Sequence, residues 1–138
     1  MKLPLSRTGV SMCFGCSPHN PIGLQLTFEL QDNVCRCRFS ARDEHQGWPG
    51  YMHGGLIATL LDETMANWLK FHRLDTMAAE MTVRYIKAVP IHTPLLIEAR
   101  NLEHKGRLII MEGRIFLPDG QCASRATAKF LQVNFQPV

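Results

Sequence analysis

The chain has 138 residues, 46% of them apolar and 20% charged, a balance that excludes a disordered or low-complexity chain and is enough for one core. A net charge of +3, with Lys and Arg scattered, excludes a nucleic-acid stripe but suits a small anionic ligand. Pro4 and Arg7 interrupt any apolar run after Met1-Lys2, no stretch has membrane-span length, and five cysteines without scaffold spacing read as reduced thiols, so a cytoplasmic protein without leader or membrane helix is expected.

Cys13-x-x-Cys16 comes first, and Cys35-x-Cys37 follows it. Four thiolates could in principle hold zinc. Alternation argues against this. Leu24, Leu26, Phe28 and Leu30 face one way, and Gln25, Thr27, Glu29 and Gln31 the other. Asp32-Asn33 is a turn signal, after which Cys35, Cys37 and Phe39 alternate with Arg36 and Arg38 as inward strand residues. The pattern is a hairpin with one wet face. A redox CxxC should open a helix in a βαβ unit, and none is visible. His19, His72, His92 and His104 form no metal spacing. No metal and no cofactor are expected.

Residues 40 to 52 read as loop, because His45, Gly47, Pro49 and Gly50 break every period. A helix is predicted from about Gly54 to Lys70. Its first turns, Gly54 to Leu61, carry no charge, and a helix apolar nearly all round is buried. Three alternating stretches follow: Met81, Val83 and Tyr85; Leu95, Ile97 and Ala99; and Cys122, Ser124, Ala126, Ala128 and Phe130. A further strand spans roughly Arg107 to Leu117 and ends in the turn Pro118-Asp119-Gly120. Each strand has one dry face to cover, and only one long element is available to cover it. The expected fold is α+β, a single domain over 1–138: a curved antiparallel sheet of five or six strands wrapped around one long central helix. The small residues of the last strand would let that helix approach closely.

The helix opens His53-Gly54-Gly55 and carries Asp62 and Glu63 farther along. The first N–H groups of a helix lack internal partners, and the dipole makes that end positive. Glycines leave those groups sterically open to a developing oxyanion. Asp62 lies roughly 12 Å along the axis from Gly54, too far for one ester-sized group to touch both. Two antiparallel helices about a two-fold axis would bring the mouth of one near the acid of the other. Gly55, Ala58, Thr59, Asp62 and Ala66 form a small-residue flank suited to such an approach. Glu63 lies nearer the polar arc of Thr59, Asn67 and Lys70 and reads as solvated.

The stretch from His45 to Gly55, then Ala58-Thr59-Leu60-Leu61-Asp62, resembles the hotdog-fold acyl-CoA thioesterases of the phenylacetate-pathway type. So do Cys13-Phe14-Gly15-Cys16 with Asn20-Pro21-Ile22-Gly23-Leu24, and Glu80-Met81-Thr82-Val83-Arg84-Tyr85 with Pro90. The resemblance implies a hotdog fold, a homodimer with joined sheets or a dimer of dimers, and active sites at the subunit interface. It implies that the Gly54 N–H binds the thioester oxygen and that His53 orients the thioester. Asp62 of the other subunit would be general base or nucleophile. Gly55 and Gln46 become substrate-binding candidates, Gln46 as the amide common in the loop before the glycines. Arg107 is the first choice among Arg84, Lys87, Lys105 and Arg107 for the phosphates of coenzyme A. The family commonly has Thr or Ser where this chain has Ala78; Thr76 and Thr82 are the nearby hydroxyls.

The function so implied is hydrolysis of an acyl-coenzyme A to free acid and CoA, with no nucleic-acid or membrane partner. Two alternatives compete: a hydratase or dehydratase acting on an acyl thioester, and a non-catalytic acyl-thioester-binding module. Trp48, Tyr51, Trp68 and Phe71 stand as lining for an aromatic acyl pocket or as ordinary core.

Overall fold

The alternation read between Leu24 and Phe130 becomes strands in the computed structural model, which describes residues 2–4 and 11–136. The elements in chain order are β1 (Lys2–Pro4), β2 (Phe28–Gln31), β3 (Val34–Ser40), α1 (Gly54–Phe71), β4 (Thr76–Tyr85), β5 (Pro94–Lys105), β6 (Leu108–Phe116), β7 (Cys122–Gln132) and β8 (Asn134–Gln136). Six strands form one antiparallel sheet in the order β2-β3-β5-β6-β7-β4. β1 and β8 pair in parallel as a separate ribbon that no sequence pattern announced.

The sheet wraps around α1. Ile57, Leu60, Leu61, Met65, Trp68 and Leu69 of the helix are buried against Cys35, Cys37, Leu95, Ile97, Ile109, Met111 and Phe130 of the strands. Each fully buried aliphatic side chain contributes about 1.5–3 kcal/mol, so this seam holds the helix in the sheet. Ser124, Ala126 and Ala128 are buried as the small residues beneath it. Gly113 belongs with them, since a Cβ there would lie 3.2 Å from Leu61 Cδ2 and 3.4 Å from Met65 Cγ. Cys122 does not. The β6–β7 register shifts beside it, so Ala123 is buried and Cys122 only partly so.

Two other expectations are corrected. The strand expected from Leu24 begins at Phe28, as β2. Gln25 takes a positive φ of 54°, which breaks an extended run, and the N–H groups of Leu24 and Leu26 donate to Phe14 and Gly15 carbonyls instead. Glu63 is not on a solvated face: the turn carrying Cys13 and Gly15 lies over it. The Asp32-Asn33 turn stands as read, both residues having positive φ. The helix ends at Phe71 in a Schellman turn with Arg73 at φ 58° and Leu74 N–H donating to the Leu69 carbonyl.

Candidate functional site

The loop before α1 is held by its own polar groups. Arg42 N–H donates to Nδ1 of buried His45 at 2.9 Å, closing a short 3-10 turn over Asp43–His45. Burial, reinforced by the Arg42 charge, holds His45 below the usual histidine range, which keeps it the neutral acceptor this bond needs. The His45 carbonyl in turn accepts from His53 N–H at 2.8 Å. Both ends of the Gln46 amide are used inside the loop: Oε1 accepts from Gly50 N–H at 2.5 Å and Nε2 donates to the Asp43 carbonyl at 2.8 Å. Gln46 thus shapes the loop that carries the helix mouth.

His53 is the N-cap. Its Nδ1 accepts from Gly55 N–H at 2.9 Å, which puts the proton of a neutral ring on Nε2. The two glycines therefore differ. Gly55 has its N–H taken by the cap, whereas the N–H of Gly54 has no hydrogen-bond partner among the described residues. The Gly54 carbonyl accepts from Tyr85 Oη at 2.8 Å, tying the end of β4 to the first turn of α1. A hollow of about 440 Å³ faces this mouth, lined by Gly47, Trp48, Tyr51, Met52, His53 and Gly54. A larger one, about 610 Å³, lies on another part of the sheet, near Phe39, Leu96 and Phe116, and includes none of the candidate residues.

Asp62 is half-buried and makes no hydrogen bond or ion pair among the described residues. Burial first, then the neighbouring Glu63 charge, raise its carboxyl above the ordinary carboxylate range, with Lys70 acting the other way. It lies on the helix flank of Gly55, Ala58, Thr59 and Ala66, which the sheet leaves only partly covered. The structure thus brings His53, Gly54 and Gly55 together and leaves Asp62 about two turns away in the same chain.

Arg107 sits at the other end of the sheet. It follows the Gly106 turn, and its guanidinium donates to the carbonyl of Gln132, which pairs with Thr76 at the start of β4. The helix mouth is tied to Tyr85 at the finish of that strand. Ala78 is exposed, beside the register shift between Ala78 and Glu80 on β4. Of the aromatic candidates, Trp68 is core: it stacks on His72 and its Nε1 donates to the Asn33 carbonyl at 2.9 Å. Trp48 is 84% exposed and Tyr51 46% exposed at the hollow; Phe71 is also exposed.

Sequence reasoning missed Tyr85 as a clamp on Gly54. The available signal was a tyrosine at the last inward position of an alternating strand, where the ring is apolar and the hydroxyl needs a partner. Spacing alone did not distinguish Gly54 from Gly55; only the family resemblance assigned the thioester oxygen to Gly54.

Residues 49–124 match the family profile of the thioesterase superfamily. The chain is 29% identical over 99 residues to the acyl-coenzyme A thioesterase THEM4 of Rattus norvegicus, over 71% of this chain and 43% of that protein. It spans less than half the length of the curated relatives it matches. The solved thioesterase superfamily protein RHA08564 superposes with a TM-score of 0.83 at 26% identity, over 88% of this chain and 60% of that one. A hypothetical thioesterase from Streptococcus pneumoniae TIGR4, solved with coenzyme A, superposes with a TM-score of 0.75 at 18% identity, over 82% of this chain and 91% of that one. The shared architecture is the hotdog fold.

Proposed function

The chain belongs to the thioesterase superfamily, and from that premise we propose that it hydrolyses acyl-coenzyme A thioesters at a site built by two copies of itself. One observation carries the reading: an N–H at a helix mouth with no partner among the described residues faces a hollow, while the half-buried carboxylate of Asp62, also without a partner there, lies on the partly covered flank of the same helix, out of reach. The Gly54 N–H, at the positive end of α1, donates to the thioester oxygen and stabilises the charge that develops on it. His53 holds the mouth open by capping Gly55 and offers Nε2 to orient the substrate. Asp62 of the partner subunit takes a proton from the attacking water and passes it to the departing CoA thiolate, or attacks the carbonyl carbon itself to form an acyl anhydride that water then cleaves to the free acid, the proton released going to the thiolate; in either case CoA leaves as the thiol.

The open edge of the sheet supports the assembly. β4 is an edge strand of 10 residues with no neighbour on its outer side among the described residues. Met77, Tyr85 and Ile86 expose apolar surface along it. Unpaired edges of this length are normally covered. Pairing two copies of β4 antiparallel about a two-fold axis sets the Thr76 end of one beside the Tyr85 end of the other. The partner's Arg107 then lies about three strand spacings, roughly 14 Å, from the mouth-side β4. That distance suits a phosphate contact at the far end of a coenzyme A whose thioester is at Gly54. No helix among the described residues is long and apolar enough to cross a membrane.

The test is a panel of acyl-CoA substrates assayed for free thiol. CoA release that depends on Asp62 supports the reading. An absorbance change in an unsaturated acyl-CoA without thiol release would instead identify a hydratase, and binding with neither would identify a carrier module.

A further inference from the structure

A second group of side chains lies beneath the turn that precedes β2. The sulfurs of Cys13 and Cys16 and a carboxylate oxygen of Glu63 lie within 4.8 Å of one another, all three residues half-buried. Cys13 Sγ is 3.6 and 3.7 Å from the two oxygens of Glu63. The backbone holds the turn in this place. Ser17 N–H donates to the Cys13 carbonyl at 3.1 Å, and the Phe14 and Gly15 carbonyls accept from Leu24 and Leu26 at 2.9 Å. Gly15 sits so close to the helix that a Cβ would fall 2.3 Å from Glu63 Cδ.

We propose that Cys13, Cys16 and Glu63 bind one thiophilic divalent cation of the zinc class, with water in the fourth position. Tetrahedral zinc, with Zn–S near 2.3 Å and Zn–O near 2.1 Å, separates a sulfur from an oxygen ligand by about 3.6 Å and two sulfurs by about 3.8 Å. The Cys13–Glu63 separation matches the first of these values, and the Cys16 sulfur lies within 4.8 Å of both partners, near enough to complete the set by a side-chain adjustment. A thiol–carboxylate hydrogen bond has a similar length, so the case rests on convergence: three donors of metal-ligating type, from two elements fifty positions apart, meet at one point.

The sequence-based expectation of no metal was weighed against a four-thiolate set. That set does not form, because Cys35 and Cys37 are buried in the core face of β3. Glu63, read as solvated from sequence, supplies the third ligand instead. Coordination deprotonates a thiol outright, and two protons leave to solvent as one cation binds. The bound ion would staple the turn to α1.

The full chain, reduced and stripped with chelator, is titrated with cobalt(II) and then zinc(II). One cobalt per chain is expected, with sulfur-to-cobalt charge-transfer absorption that zinc abolishes, and a higher melting temperature in the loaded protein. Glu63→Gln should weaken binding by at least the roughly 10–100-fold that loss of even an outer-shell partner costs. Cys13→Ser with Cys16→Ser should abolish the absorption, and Cys122→Ser should leave it. The proposal is overturned if the reduced wild-type chain gives no charge-transfer absorption and retains no zinc on dialysis, a result that needs no variant to fold. Binding that survives the double serine substitution overturns it equally.

Discussion

Asp62 is placed where charge is expensive, whereas Gly54 stands at the helix end that stabilises negative charge. An unpartnered half-buried carboxylate is a stability cost that a base or nucleophile justifies. Asp62→Asn should lower kcat/KM by roughly two to four decades. Its effect on stability has the opposite sign. The carboxyl is raised in the folded chain above its ordinary 3.8, so it favours folding at the lowest pH, and that contribution is lost as pH rises through the raised value. The asparagine variant should therefore melt at or above the wild-type temperature near neutral pH, with the difference shrinking in acid. By the same shift, the acid limb of the wild-type kcat/KM profile should lie above the ordinary carboxylate value, and a limb at or below it would remove Asp62 from the role. The glycines separate in a second experiment. A methyl on Gly54 comes nearest the Tyr85 side chain, at an ordinary 3.5 Å contact, so Gly54→Ala should keep its melting temperature while losing about 3 kcal/mol of transition-state stabilisation. A methyl on Gly55 comes within 3.1 Å of the His53 ring and should dislodge the cap, costing about 0.5–2 kcal/mol of stability, read in paired melting and kinetic measurements.

Helix α1 and strand β4 act as one device, joined by the Tyr85 hydroxyl on the Gly54 carbonyl. Tyr85→Phe should leave secondary structure intact and cost about 0.5–1.5 kcal/mol in the hold on the first turn, seen as a fall in kcat larger than the change in KM. Wild-type kcat in this variant would show that the bond has no part in positioning the mouth. The elements themselves were legible from periodicity. The period of two marked the strands because each has one dry face, and the charge-free first turns marked a buried helix. What periodicity could not carry was set by contacts remote in sequence. Leu24 and Leu26 are buried as strand residues would be, yet their N–H groups pair with the turn at Phe14 and Gly15. The β7 register slip buried Ala123, and a three-residue parallel pair such as β1 with β8 is too short to leave a pattern. At the site, His53, Gly54 and Asp62 stood out by spacing. The division of labour between Gly54 and Gly55 did not, because it depends on which way one imidazole turns.

For the whole molecule, the separation of mouth and acid in one chain is the central fact. Among the described residues a single copy leaves the 10-residue β4 open at its edge, Trp48 84% exposed and the small-residue flank of α1 only partly covered. One two-fold operation would cover these features and supply the missing carboxylate. Charging the edge with Met77→Arg should shift the assembly toward monomer in light scattering and lower activity in proportion. The most direct measurement is complementation between two inactive chains. Asp62→Asn and Gly54→Ala chains are each assayed alone, then co-expressed or refolded together in equal amounts. In a mixed dimer the Asp62→Asn chain contributes an intact mouth and the Gly54→Ala chain an intact acid, which restores one of two sites. Random assortment makes half the dimers mixed, so activity should recover to about a quarter of wild type. If the mixture shows only the mean of the two variants while mass spectrometry shows mixed dimers, both groups act within one chain and the shared site is wrong.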